Sequence, residues 1–246
     1  MLNTKVRTDA KPLRVPDLVA RYLRYAVRGN QRIHGATVSQ YGEFRFGSSG
    51  EHWRPFEATE HFSLDTPAFE WDAQIRLAPF LTIRVRDSYL NGVGSTSASL
   101  LGHTFMNARP ARELNAGALQ RYLAEAVWVP PALVAGPGIS WRGVDRHTAI
   151  ATLRDGRVHV ALQFTFNDVG EVTQIFSPTR YRSVGGGFVP TSWLVRCYDY
   201  IEIDGFRIPG RCDVSWILAD ELFTYWKGQV SAAHYDFALD RQLRAS

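Results

Sequence analysis

Residues 193–216, WLVRCYDYIEIDGFRIPGRCDVSW, constrain the fold more than any other stretch of the chain. Asp204-Gly205 is the dipeptide that a two-residue type I′ turn prefers, because both central positions need φ > 0. With these two in the loop, Ile203 faces Phe206. Counting outwards sets Glu202 against Arg207, Ile201 against Ile208, Cys197 against Cys212, Arg196 against Asp213, Val195 against Val214 and Trp193 against Trp216. Opposite charges meet and apolar side chains meet, as cross-strand energetics favour. Alternation sends Trp193, Val195, Cys197, Ile201, Ile203 and their partners to one face, and the charges with Tyr198 and Tyr200 to the other. Asp199 alone interrupts the apolar side. A ribbon this long and one-sided needs a surface to cover its aromatic face.

The same grammar recurs. Asn91-Gly92 pairs Leu90 with Val93, Val85 with Ala98, Ile83 with Leu100, and Arg86 and Arg84 with Ser97 and Ser99. Asp155-Gly156 is a third such turn, pairing Leu153 with Val158 and Ala151 with Val160. Gly-Ser-Ser-Gly at 47–50 is a longer one, and Pro79 breaks the stretch 68–90. These signals delimit about nine strand candidates. Two segments keep helical spacing. Pro16-Asp17 opens the first, with Leu18, Val19, Tyr22, Leu23 and Ala26 on one stripe and Gly29 as its stop. Asn115 caps the second, which buries Leu119, Tyr122, Leu123, Ala126 and Val127 and ends at Pro130-Pro131.

A meander of this size has one apolar face, and two helices are too few to cover it. The expected fold is therefore mainly β with two helices: a strongly curved antiparallel sheet, an open half-barrel, with the helices packed on or plugging its concave face. We expect one domain over residues 12–240, a disordered tail at 1–11 and fraying at 241–246.

With 246 residues and 45% apolar content the chain can bury a sizeable core. A net charge of +4 carried almost wholly by arginine is too diffuse for a nucleic-acid surface. The longest apolar run, AVWVPPALVA, is half a membrane span and contains two prolines, so no integral membrane contact is expected. No apolar segment follows the basic residues of MLNTKVRTDAK, and the chain reads as soluble and cytoplasmic. Cys197 and Cys212 read as two buried thiols, although their register makes a bridge geometrically conceivable. The seven histidines form no metal-binding spacing, and no phosphate-cradling or dinucleotide motif is present, so neither metal nor cofactor is expected.

RYLAEAVWVPPAL at 121–133, with HWRPFEATEHFS, FEWDAQIRLAPFLTIRVRDSYLNG and FTYWKGQV, resembles an uncharacterised bacterial domain-of-unknown-function family whose pattern runs RYLxEAxWxP, WRPF and YWxG. The resemblance covers most of the chain after residue 15 and implies no activity. The order of elements is also similar to the lipoprotein-carrier fold of LolA, LolB and related mycobacterial lipoproteins. That similarity implies a half-barrel whose helices lid a hydrophobic cavity for acyl chains.

Trp53, Phe69, Trp71, Tyr122, Trp128, Trp193 and Trp216 are the candidate lining of such a cavity, and each also suits an ordinary core. Arg84 and Arg86 offer planar donor forks that suit a carboxylate or phosphate head group, or else a solvated face. Glu125 suits an acid/base role among aromatics, or a helical ion pair with Arg121. Three readings follow. The first is non-catalytic binding of a hydrophobic, acyl-chain-like ligand such as a lipid. The second is an enzyme using Glu125 beside a histidine in a polar cleft. The third is a structural or protein-interaction module whose core fills itself, with protein partners not legible.

Overall fold

A computed structural model describes residues 15–29, 32–46, 52–135 and 138–238. The expected tails at 1–11 and 241–246 and the turn at 47–50 lie outside the described residues. The first meander comprises β1 (Ile33–Phe44), β2 (Arg54–Ser63), β3 (Ala68–Ala78), β4 (Leu81–Leu90), β5 (Val93–Leu100) and β6 (His103–Asn107). The second comprises β7 (Ile139–Gly143), β8 (Thr148–Asp155), β9 (Val158–Phe166), β10 (Val172–Val184), β11 (Gly187–Ile203), β12 (Phe206–Ile217) and β13 (Leu222–Phe237). Helix α1 (Asp17–Ala26) precedes the first meander, and α2 (Arg112–Glu125), a 3₁₀ turn (Ala126–Trp128) and α3 (Ala132–Ala135) connect the two.

All thirteen strands belong to one antiparallel sheet, ordered β6-β5-β4-β3-β2-β1-β13-β12-β11-β10-β9-β8-β7. The first and last strands of the chain pair with each other, Ala36 with Tyr235 and Phe44 with Trp226, and this pairing fuses the two meanders. The free edges are then β6 and β7, and the helical connection between them crosses the open side of the curl. Helix α2 touches β4 and β5 on one wall and β9 and β10 on the other. It is accordingly buried around much of its circumference, at Leu119, Gln120, Tyr122, Leu123 and Ala124. The half-barrel with helices on its concave face is the expected architecture. Among the described residues no helix is long and apolar enough to cross a membrane.

The hairpin at 193–216 has the counted register pair for pair, from Ile203 with Phe206 to Trp193 with Trp216. Cys197 and Cys212 face each other as free, buried thiols. The Asn91-Gly92 hairpin likewise has every expected pair. The face assignment fails at Asp199, which takes φ 52° opposite Gly210. A side chain at Gly210 would meet the Asp199 carbonyl oxygen at 2.5 Å, so only glycine admits this kink. Beyond it Ile201 is exposed, and Tyr200 turns inward to bond both the N–H and the carbonyl of Val172.

The Asp155 hairpin is corrected too: Leu153 pairs with Val160 and Ala151 with Leu162. The loop is Gly156-Arg157 rather than Asp155-Gly156, which shifts partners by two and leaves faces unchanged. Asp155 stays in its strand and accepts a hydrogen bond from the Tyr89 hydroxyl at 2.8 Å. The strands number thirteen rather than nine partly because the turns at Phe80 and Leu101 carry bulky residues at φ 65° and 50°, with no Asx-Gly signal.

Asn115 is not a cap. The helix begins at Arg112 after Ala111, and the Asn115 side chain accepts the Gly94 N–H of β5 at 2.9 Å. A Cβ on Gly94 would lie 2.7 Å from the Leu114 carbonyl oxygen. Gly94→Ala should therefore push α2 off β5 and lower stability by about 1–3 kcal/mol, read as a fall in urea midpoint at unchanged m-value; an unaltered midpoint contradicts this close approach.

Candidate functional site

Between the sheet and the helical lid lies a cavity of about 600 Å³, within the roughly 300–1,000 Å³ of small-molecule sites. Its walls are mostly apolar. Trp71 of β3, Trp128 of the 3₁₀ turn, Trp193 of β11 and Trp226 of β13 supply the indoles, with Val85, Ala98 and Val214 between them. Phe46, Phe105 and Met106 both line the cavity and are exposed, which places its mouth among them.

Of the expected lining, Trp71, Trp128 and Trp193 face the cavity and the others do not. Trp53 lies outside, beneath the Arg45 guanidinium at 5.0 Å and the Lys227 ammonium at 4.5 Å. Phe69 is buried under Arg121, and Tyr122 stacks on Phe62 with its hydroxyl donating to the Ser63 carbonyl. Trp216 stacks on Tyr225 at the rear of the wall. Alternation gives the face of a strand but not how far along it the cavity extends. Trp226 was legible as an aromatic of the last strand, and the missing signal was its pairing with β1.

Arg84 and Arg86 do not clasp a head group in the cavity. Both lie on the outer face with Ser97 and Ser99, and both bond Asp72. The Arg84 hydrogen bond, with that of Arg86, holds the Asp72 carboxyl below its usual range despite partial burial.

A buried polar chain runs beside the cavity. The Trp71 indole N–H donates to Gln40 Oε1 at 3.0 Å, and Gln40 Nε2 donates to Glu60 Oε2 at 3.3 Å. Arg121 of α2 donates to Glu125 Oε1 and to Asp87 Oδ2 of β4, each at 2.7 Å, and its guanidinium lies over Trp71 and Phe69. Glu125 thus takes the helical ion-pair role, extended to a second acid. Burial presses the Arg121 pKa down, and Glu125, Asp87 and Glu60 overcome it, leaving the pKa raised. Glu60 is 1% exposed. Its pKa stands well above the ordinary carboxyl value, first through burial and then through the neighbouring Glu125, with Arg121 opposing. Glu60 Oε1 and Glu125 Oε2 are both buried without partners.

Two further polar groups reach the cavity wall, Arg180 of β10 and Tyr225 of β13. Neither is expected from alternation. The β10–β11 pairing jumps between Ser177 and Arg180, and the β12–β13 pairing jumps between Val214 and Ser215, so a bulge re-aims each side chain inward. Among the described residues no histidine lines the cavity, and no group of three His, Cys, Asp or Glu is placed to hold a metal ion. Cys212 lines it, its thiol pKa raised by burial and then by Cys197.

Fold and site together define an antiparallel half-barrel with a helix-lidded, aromatic cavity and an ionic cluster in its wall. The chain belongs to a family of unknown function, DUF6920, whose pattern matches residues 13–235. No curated protein matches it.

Between the ordinary carboxyl pKa and its raised native value, Glu60 keeps its proton in the fold and loses it in the unfolded chain. The native state then binds more protons, so this group makes stability fall as pH rises through that window. Glu60→Gln mimics the protonated acid. Its stability should match wild type near pH 4 and exceed it increasingly as pH rises through the window, by about 1.4 kcal/mol per pH unit. Parallel melting-temperature curves for the two proteins count against a buried, protonated Glu60. Arg121→Met leaves Asp87 and Glu125 without their cation, and should lower stability by about 3 kcal/mol in chemical denaturation at pH 7.

Proposed function

We propose that the protein binds a hydrophobic, acyl-chain-like ligand in this cavity without converting it. The observation that carries the reading is the apolar cavity of about 600 Å³ walled by four tryptophans beneath α2. Its size suits one drug-sized or single-chain molecule, and indole and aliphatic walls favour apolar burial over hydrogen-bonded recognition. The similarity in element order to the lipoprotein carriers supports the same reading, with the cytoplasm as the expected compartment.

The enzyme reading calls for a polar cleft with a histidine beside Glu125, whereas Glu125 is bonded to Arg121 in a wall that is largely apolar. The self-filled module calls for a solid interior, and the cavity argues against it. Native mass spectrometry of gently purified protein should reveal a copurifying apolar molecule, and palmitate should change tryptophan fluorescence saturably. Ala98→Phe, which intrudes into the cavity, should weaken palmitate binding about 10-fold or more if the removed volume is the binding volume. No copurifying mass together with no palmitate response defeats the proposal.

A further inference from the structure

We infer that the cavity selects an amphiphile with a monoanionic head, its carboxylate seated on the Arg180 guanidinium and the Tyr225 hydroxyl. This rests on the reading of the cavity as a ligand site and adds the chemistry of the ligand's polar end. The two residues lie on different strands, and each reaches the wall only through its own β-bulge. Trp193 links them. The Arg180 guanidinium lies 4.5 Å over the Trp193 ring, and the indole N–H donates to the Tyr225 hydroxyl oxygen at 3.0 Å. With its oxygen accepting from the indole, Tyr225 has its own proton left to donate.

Arg180 is anchored by one bond, from Nη1 to the Gly117 carbonyl of α2 at 2.7 Å. Its Nε is buried with no partner, and among the described residues no carboxylate lies within ion-pair distance. Asp87 and Glu125, the acids of the cavity wall, are both bonded to Arg121. Burial lowers the Arg180 pKa; Tyr225 opposes it, Arg121 adds to the lowering, and Glu125 and Asp87 oppose it less. A desolvated guanidinium with an unmet donor, beside a free hydroxyl proton and facing an apolar space, is complementary to a carboxylate at the end of a chain. Asp87 and Glu125 border the same cavity, so a second negative charge on the head is repelled, which favours a carboxylate over a phosphate dianion. The cavity volume of about 600 Å³ suits a single chain.

The test is titration of the full chain at pH 7 with palmitate, 1-hexadecanol and hexadecyl phosphate, followed by tryptophan fluorescence and calorimetry. Palmitate should bind about 10- to 100-fold more tightly than hexadecanol, the range expected of hydrogen bonds to a charged group. In Arg180→Gln that advantage should fall to about 3-fold or less while hexadecanol affinity stays at the wild-type level, which also reports that the cavity has kept its shape. Tyr225→Phe should weaken palmitate about 5-fold and hexadecanol less. Equal affinities for palmitate and hexadecanol in wild type, or equal losses for both ligands in Arg180→Gln, overturn the head-group seat and leave the apolar cavity site standing. Tighter binding of hexadecyl phosphate than of palmitate overturns the carboxylate assignment. Absence of binding by all three overturns the cavity site and this inference with it.

Discussion

An antiparallel sheet with one apolar face cannot lie flat in water, and thirteen strands offer too much such surface for one short helix and a connecting segment to cover. Pairing β1 with β13 solves the problem by joining the two meanders into one ribbon long enough to curl around its own apolar side. The curl leaves β6 and β7 as distant edges, and the chain between them has to cross the gap. That crossing is α2. Its position as lid follows from connectivity, and its burial between two walls follows from the curl.

Apolar contact alone fixes a helix only loosely along a trough, and the polar chain around Arg121 supplies the register. One guanidinium bonds Glu125 one turn along its own helix and Asp87 on β4, and stacks on two aromatic rings of β3. Gln40 and Glu60 continue the chain across β1 and β2. Such a buried network adds little net stability, because desolvation opposes the charge pairing. The Arg121–Asp87 bond ties α2 to β4 at one point along the trough.

Much of the fold could be read in advance wherever a turn announced itself. Asp204-Gly205 and Asn91-Gly92 fixed two hairpins to the residue, since φ > 0 at adjacent positions is a local demand and side-chain alternation then propagates it. Phe80 and Leu101 hid two turns because the tight connections between paired strands hold these exposed residues at a positive φ that their side chains disfavour. Asn115 misled because a side chain that often caps a helix was used to tie the helix to β5. Among the candidate site residues, Trp71, Trp128 and Trp193 were found by their aromatic bulk on an inward face. Trp53 and Trp216 have the same bulk and lie elsewhere, and Arg84 and Arg86 are on the outer face with Asp72.

By itself the sequence determined the strand pairs flanking Asp204-Gly205 and Asn91-Gly92, the one-sidedness of the sheet and hence its need to curl, because each depends on neighbours within a few residues. Tertiary structure alone decided which aromatics wall the cavity, that Arg121 gathers acids from two elements, and that Arg180 and Tyr225 face inward. The bulges beneath Arg180 and Tyr225 are mismatches between two strands. A mismatch is a property of a pairing, and neither strand carries it alone.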